Sequence, residues 1–433
     1  MCLHIIIYNL FLFVYSAVIR FTASWNPKAR LWVQGRKNWK EKLNAWKLAQ
    51  TFPTSLALPN ENKLVWMHCA SLGEFEQGRP LLEAVKMEYP HCKIVLTFFS
   101  PSGYEIRKNY AGADLVMYLP MDGPANAKTF INAIDPSLVL WVKYEYWHYF
   151  LSQLKNKNIP VLLVSGIFRS SQPFFKWYGY FWKNMLKSFD HFFVQTEASL
   201  QLLQNIGVFN NVTITGDTRF DRVVAIAEQW KSPGETIDAF CSGHQVLVAG
   251  STWEEDEAML IHYARAYPMI RFIIAPHEVS IERIHDLKQE FPLGILYSML
   301  GNISKKDLDN ANVLIIDNIG LLSKLYKYAS IAYVGGGFNS SGIHNILEAA
   351  VYGKPVIFGP VYEKFAEARD LTKAGGAFSI ENALELEELL NDLFKDEKEL
   401  VAASLAAKEF VYSHKGATQK IIDHIQRKRL LTN

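Results

Sequence analysis

Cysteine is scarce and scattered in this chain: Cys2, Cys69, Cys92 and Cys241 are the only four in 433 residues, and no two form a C-x-x-C pair. That excludes a disulfide-stapled scaffold and a thiolate zinc site, and it suits a reducing compartment. Histidine does not fill the gap, because neither His277 nor His344 has a partner at ligand spacing, so no metal is expected. Net charge is nearly absent too, at +2, which excludes a surface devoted to gripping nucleic acid. No stretch is of low complexity, so the chain reads as globular throughout.

What is present is apolar sequence, 49% of the residues, on a chain long enough for two ordinary domains. The longest apolar run is at the start, Leu3 to Ile19, broken only by His4, Asn9 and Ser16. It is just long enough to cross a bilayer. A cleavable signal would carry an early basic residue and a small-residue cleavage site, but no Lys or Arg precedes Arg20. Residues 1–22 are therefore expected to be an uncleaved membrane anchor, with a buried N-terminal helix as the alternative. Arg20, Lys28, Arg30, Arg36, Lys37, Lys40, Lys42 and Lys47 follow against the single acid Glu41, which by the positive-inside rule keeps the body cytoplasmic, at the inner membrane. Trp32, Trp39 and Trp46 recur at heptad spacing with Leu43 on the same face, a pattern that suits a lipid interface and core packing equally. The aromatic, lysine-bearing stretch Phe174 to Lys187 has the same two readings.

From Lys63 onward short apolar runs alternate with helix-like stretches, the pattern of repeated β-α units and a parallel sheet. Strands are expected at 64–68, 94–98, 116–119, 138–142, 161–164, 191–194 and 212–215. The pattern pauses at Ser232-Pro-Gly234 and resumes at 246–249, 272–275, 313–316, 331–334 and 356–358. The expected fold is α/β, with two doubly wound Rossmann-like domains facing across a cleft: residues 23–230 to hold the acceptor and 231–433 to hold a nucleotide, the last helix packing back on the first.

Chemistry is sought at strand ends, where such sheets bind ligands. Glu74 follows the first strand as a helix begins, where it could take a proton from an acceptor hydroxyl or merely suit the helix dipole. Glu145 lies just past the fourth strand, so two acids from different strand ends can converge and stabilise positive charge on a sugar ring. Arg219, in Thr215-Gly-Asp-Thr-Arg-Phe-Asp221, could neutralise a leaving phosphate or form an ordinary salt bridge. In the second half Gly335-Gly-Gly337 leads to His344-Asn-Ile-Leu-Glu348, where Glu348 could accept hydrogen bonds from a ribose diol. The Lys-Ser/Thr pair of a Walker A loop is missing there, and G-x-G-x-x-G is missing from the first β-α turn.

The segments Ala70-Ser-Leu-Gly-Glu-Phe75, Thr97-Phe-Phe-Ser-Pro-Ser-Gly-Tyr-Glu105, Tyr118-Leu-Pro-Met-Asp122, Glu145-Tyr-Trp147, Thr215 to Asp221, Ala249-Gly-Ser-Thr252, Ala275-Pro-His277 and His344 to Glu348, in that order, resemble the 3-deoxy-D-manno-octulosonic acid (Kdo) transferases. The resemblance covers essentially the whole chain. It implies the glycosyltransferase-B architecture and inverting transfer of Kdo from CMP-Kdo to a lipid A precursor (lipid IVA), without a metal or other cofactor. It further implies that Glu74 is the general base, that Glu145 and Arg219 stabilise the transition state, and that Pro276, His277, Ile319, Gly320, Leu321, Asn345, Ile346, Leu347 and Glu348 hold CMP. This chain departs from the family pattern at Lys143, where an acid is expected, at Gly166-Ile-Phe-Arg169, at His277 in place of Arg and at Arg219 in place of Lys. A UDP-sugar transferase or a nucleotide-sugar epimerase on the same architecture is the alternative.

Overall fold

The computed structural model describes residues 3–50 and 63–432, so Cys2 lies outside it. The chain divides into two compact units, Met1–Asp221 with Gly416–Asn433, and Arg222–Lys415. The expected boundary at 230/231 falls later than this division, because the helix Thr218–Glu228 reads in sequence as the close of the first half but carries the chain from one unit to the next.

The first unit is built on β1 (Leu64–Cys69), β2 (Lys93–Phe98), β3 (Leu115–Tyr118), β4 (Leu138–Val142), β5 (Val161–Gly166), β6 (His191–Val194) and β7 (Val212–Ile214), in the order β3-β2-β1-β4-β5-β6-β7. Neighbouring strands are parallel throughout. β1, β4 and β5 are buried along their whole length, as strands covered by helices on both faces must be. Alternate residues divide between the two faces: Trp66, Val95, Val139 and Trp141 enter one core, while Val65, Met67, Leu96 and Leu140 enter the other. The strand order reverses between β1 and β4, which opens a crevice at their carboxyl ends.

The N-terminal helix (Leu3–Thr22) lies against this unit along one face. Ile5 and Tyr8 pack on the core that contains Trp66, Leu12 is buried, and Tyr15 meets the edge of Trp32. Tyr8 Oη donates to Asp122 Oδ2 at 2.6 Å, and Tyr149 Oη donates to Asn9 Oδ1 at 2.7 Å. Its other faces expose Leu3, Ile6, Ile7, Leu10, Phe11, Phe13 and Val14. A buried core helix is thereby excluded: this helix has the length and composition to cross a membrane, and only 6% of that stretch is buried. The tryptophan stripe, by contrast, turns inward, with Trp32 and Leu43 buried and Trp39 and Trp46 packed on the core. The stretch 174–187 divides: Phe174, Phe181 and Met185 are buried, whereas Trp177 is 96% exposed.

The second unit contains β8 (Val246–Thr252), β9 (Arg271–Pro276), β10 (Ile295–Leu296), β11 (Val313–Ile315), β12 (Ile331–Val334), β13 (Val356–Phe358) and β14 (Ala377–Ser379), in the order β10-β11-β9-β8-β12-β13-β14. All pairings are parallel, and the order reverses between β8 and β12. The edge strands β10 and β14 escape sequence reading because two or three residues carry no periodicity and depend on pairing with β11 and β13. The C-terminal helix Ala417–Arg427 returns to the first unit, where Ile421, Ile422 and Ile425 share a core with Val65 and Leu81. Asp221 caps it, accepting from the backbone N–H groups of Gly416 and Thr418.

Candidate functional site

At the carboxyl end of β1, His68 stands in register with Thr97 on β2 and Trp141 on β4, fully buried between them. Trp66 Nε1 donates to Thr97 Oγ1 at 2.9 Å, and the same hydroxyl lies 2.9 Å from His68 Nδ1. His68 Nε2 lies 2.9 Å from Glu145 Oε2, which can only accept. An N–H therefore belongs on Nε2, while Nδ1 shares a hydrogen bond with the Thr97 hydroxyl. Trp147 Nε1 donates to the same carboxylate oxygen at 3.1 Å. Glu145 is thus held by two donors on Oε2, and its side chain keeps 19% of its surface open.

Lys143, the residue after β4, takes a left-handed conformation (φ 58°) and is buried, turning the chain so that Glu145 points back over the strand ends. Its ammonium lies 5.1 Å from the centre of the Tyr144 ring, and the Arg169 guanidinium lies 5.9 Å from it. Two of the departures from the family pattern thus meet on one aromatic ring.

Glu74 occupies the first turn of the helix Leu72–Glu88, where the dipole favours a carboxylate, and accepts a hydrogen bond from Ser71 Oγ. Burial first, then the carboxylates of Glu74, Glu145 and Glu76, pushes the Cys69 thiol well above its usual value, so both candidate acids crowd the end of β1. Burial also raises the Tyr144 phenol, and Arg169, Glu74, Asp217 and Arg219 all act on it. Glu74, Glu145 and Arg219 are therefore gathered round the reversal between β1 and β4. Arg219 is also paired: its Nε and Nη2 each lie 2.8 Å from Asp217 Oδ2, and its backbone N–H donates to Asp217 Oδ1.

Sequence reading missed His68, Thr97 and Arg36 here. The Arg36 guanidinium lies 3.9 Å from the Trp32 ring centre and 4.6 Å from that of Phe99, and donates to the carbonyls of Leu119 and Phe99. Burial lowers its pKa to about 9 against the pull of Tyr118 and Glu145. In sequence it is one more basic residue after the N-terminal helix.

In the second unit three loops converge where β8, β9 and β12 end. Asp256, fully buried, accepts from the backbone N–H groups of Trp253 at 2.9 Å and Gly336 at 2.8 Å, and from Tyr333 Oη at 2.8 Å. It ties the turn after β8 to the glycine turn after β12. Gly335 is obligatory there, since a Cβ would stand 2.4 Å from the Ser251 carbonyl oxygen, and Gly336 has φ 91°. The His277 ring, just past Pro276, stacks on both Trp253 (4.6 Å) and His344 (4.4 Å). Burial, then His277, lowers the His344 pKa to about 4, so His344 Nε2 accepts from Trp253 Nε1 at 3.2 Å. Asn345 Nδ2 donates to Glu348 Oε1 at 3.1 Å in the first turn of the helix Leu347–Ala350. Ile346 and Leu347 are fully buried, which leaves only their backbone for a ligand. Ile319 is 85% exposed and Gly320 has φ 92°, and the helix after that turn sets Leu322 against Gly250 on β8.

Residues 37–222 match the family described as 3-Deoxy-D-manno-octulosonic-acid transferase (kdotransferase). A 3-deoxy-D-manno-octulosonic acid transferase of Aquifex aeolicus is 28% identical over 359 residues, 82% of this chain and 92% of that protein. One from Bordetella pertussis is 28% identical over 390 residues, 86% of this chain and 88% of that protein. Among solved structures, the UDP-GlcNAc 2-epimerase of Neisseria meningitidis bound to UDP-GlcNAc gives a TM-score of 0.60 at 16% identity, covering 84% of this chain and 100% of that one. At that identity the likeness is one of fold.

Proposed function

We propose that the chain is a Kdo transferase, the family whose model its residues 37–222 match, and that it moves Kdo from CMP-Kdo to a lipid A precursor, lipid IVA, with inversion at the anomeric carbon. The observation that carries this reading is the pair of carboxylates, Glu74 and Glu145, at the end of β1, the second clamped by His68 and Trp147. Glu74, at a helix N-terminus and partly open, takes the proton of the acceptor hydroxyl. The hydroxyl oxygen bonds to the anomeric carbon of Kdo as the bond from that carbon to the phosphate oxygen of CMP breaks, and CMP leaves with the electron pair. Positive charge develops on the sugar ring in between, and the Glu145 carboxylate, held in place by His68 and Trp147, stabilises it. Arg219 meets the charge of the leaving phosphate.

The donor falls to the second unit. The His277 stack, the N–H groups of the glycine turn, the Ile319-Gly-Leu321 turn and Asn345 to Glu348 suit a nucleoside monophosphate, with Glu348 on the ribose diol. A monophosphate carries less charge than the diphosphate of many sugar donors, so fixed N–H donors and Arg219 suffice and no metal or other cofactor takes part. The exposed apolar faces of the N-terminal helix, followed by basic residues, support attachment to the cytoplasmic face of the inner membrane.

The test is a transfer assay with purified protein, tetra-acylated acceptor and CMP-Kdo generated in place, read by the mass of the lipid. Wild type is expected to add one or more Kdo units and Glu74→Ala none. Absence of any addition by wild type, where a known transferase works, would overturn the reading, and protection by UDP instead of CMP would then favour a UDP-sugar enzyme.

A further inference from the structure

Next to Glu145 the first unit contains an apolar cavity of about 510 Å³. Its walls come from three segments: Ile7 and Phe11 on the N-terminal helix, Glu145 and Trp147 after β4, and Phe181 and Met185 on the helix Tyr180–Leu186. Glu145 is the carboxylate of a largely aliphatic and aromatic lining that also includes His4 and Tyr8. Ile7 and Phe11 are themselves 56% and 52% exposed, so the mouth of the cavity opens among the exposed apolar residues of the N-terminal helix. Trp177 and Tyr180, 96% and 67% exposed, lie on and beside the helix that forms the opposite wall.

We propose that this cavity receives one acyl chain of the lipid acceptor and so brings the acceptor's sugar to Glu145. The proposal rests on the lipid-acceptor reading above. A chain moved from a bilayer into an apolar cavity stays out of water throughout, whereas a headgroup lifted to Glu145 without such a cavity would drag its methylenes into water. Each methylene so exposed weakens binding by about fourfold. A single chain suits the dimensions: the volume is that of a small-ligand pocket, well short of the surface that a second copy of the protein would have to bury. The carboxylate at one end also disfavours an occupant that is apolar throughout, and suits one whose apolar tail ends in a hydroxyl-bearing head.

The experiment compares kcat/KM for the acylated acceptor with that for the same sugar stripped of its acyl chains, in wild type and in Ile7→Trp. Tryptophan at the mouth shortens the cavity but leaves the outer face apolar, and sedimentation with phospholipid vesicles checks that attachment persists. Wild type is expected to prefer the acylated acceptor by tenfold or more, and Ile7→Trp to reduce that preference by about tenfold, the cost of one or two displaced methylenes. An acceptor carrying a photoreactive group at its chain end is expected to label the segment around Trp182 and Met185. An unchanged preference in Ile7→Trp, or labelling confined to the outer residues Phe13 and Val14, would overturn the cavity assignment while leaving the transfer reaction intact. Failure of wild type to use either acceptor would overturn the reaction itself and the cavity assignment with it.

Discussion

Glu145 owes its position to residues on two strands and a loop. Trp66 and His68 come from β1, Thr97 from β2 and Trp147 from the loop after β4, and their hydrogen bonds connect them to a single carboxylate oxygen. His68 touches Glu145 and not the reacting groups, so it acts as a positioning residue. Replacing it by alanine is expected to lower kcat by about a hundredfold with little change in KM for CMP-Kdo, because a misplaced transition-state group costs rate and not donor binding. His68→Gln, which keeps an N–H for Glu145, should recover part of the loss. Wild-type kcat in His68→Ala, with an unchanged melting temperature, would show that Glu145 needs no such support. Of this relay the sequence displays Glu145 alone. His68 reads as one more residue of a buried strand, and only parallel register sets it beside Thr97 and Trp141.

At the scale of elements, the C-terminal helix joins the far end of the chain to the first unit. His424 on that helix packs at a tilt against His191 of β6, ring centres 4.2 Å apart. Burial, then His424, Lys428 and Arg427, holds His191 at about 4, and burial with Lys428 and Arg427 lowers His424 as well. Both rings are neutral in the folded protein at pH 7, while the unfolded chain takes up protons near the ordinary histidine value of about 6.5. Their contribution is therefore complete above that pH and is lost as the pH falls toward 4. Unfolding of wild type is expected to lose roughly 2 kcal/mol between pH 7 and pH 5 through this pair. His191→Phe should flatten the fall in melting temperature over that range, and an identical slope would show that the pair does not titrate on unfolding. The amphipathic pattern of this helix is plain in sequence, but its docking partner is not, since Ile421 and Ile425 could cover any apolar face. Asp221, which in sequence only closes the motif that holds Arg219, proves to be the helix cap.

Over the whole molecule, the proposed base and the proposed nucleotide site fall in different compact units, Glu74 in the first and His277, Gly336 and Glu348 in the second. Glu74→Ala is accordingly expected to keep the thermal stabilisation given by CMP while losing transfer. Gly336→Ala should do the reverse at the level of binding, because a Cβ there meets the Gly342 carbonyl at 2.6 Å from a backbone at φ 91°. Loss of CMP stabilisation in Glu74→Ala would contradict the division of labour.

The sequence by itself determined the class of fold, twelve of the strands, the two strand-end acids and the resemblance to the Kdo transferases, because each is written in local periodicity or in contiguous motifs. Tertiary structure decided which way each ambiguous surface faces. The tryptophans at heptad spacing went into the core, Trp177 went to solvent, Arg36 entered an aromatic cage, and the N-terminal helix came to rest along the first unit through Tyr8 and Asn9. Periodicity says that a face is apolar. What it meets depends on residues far away in the chain, such as Asp122 and Tyr149, that only folding brings alongside.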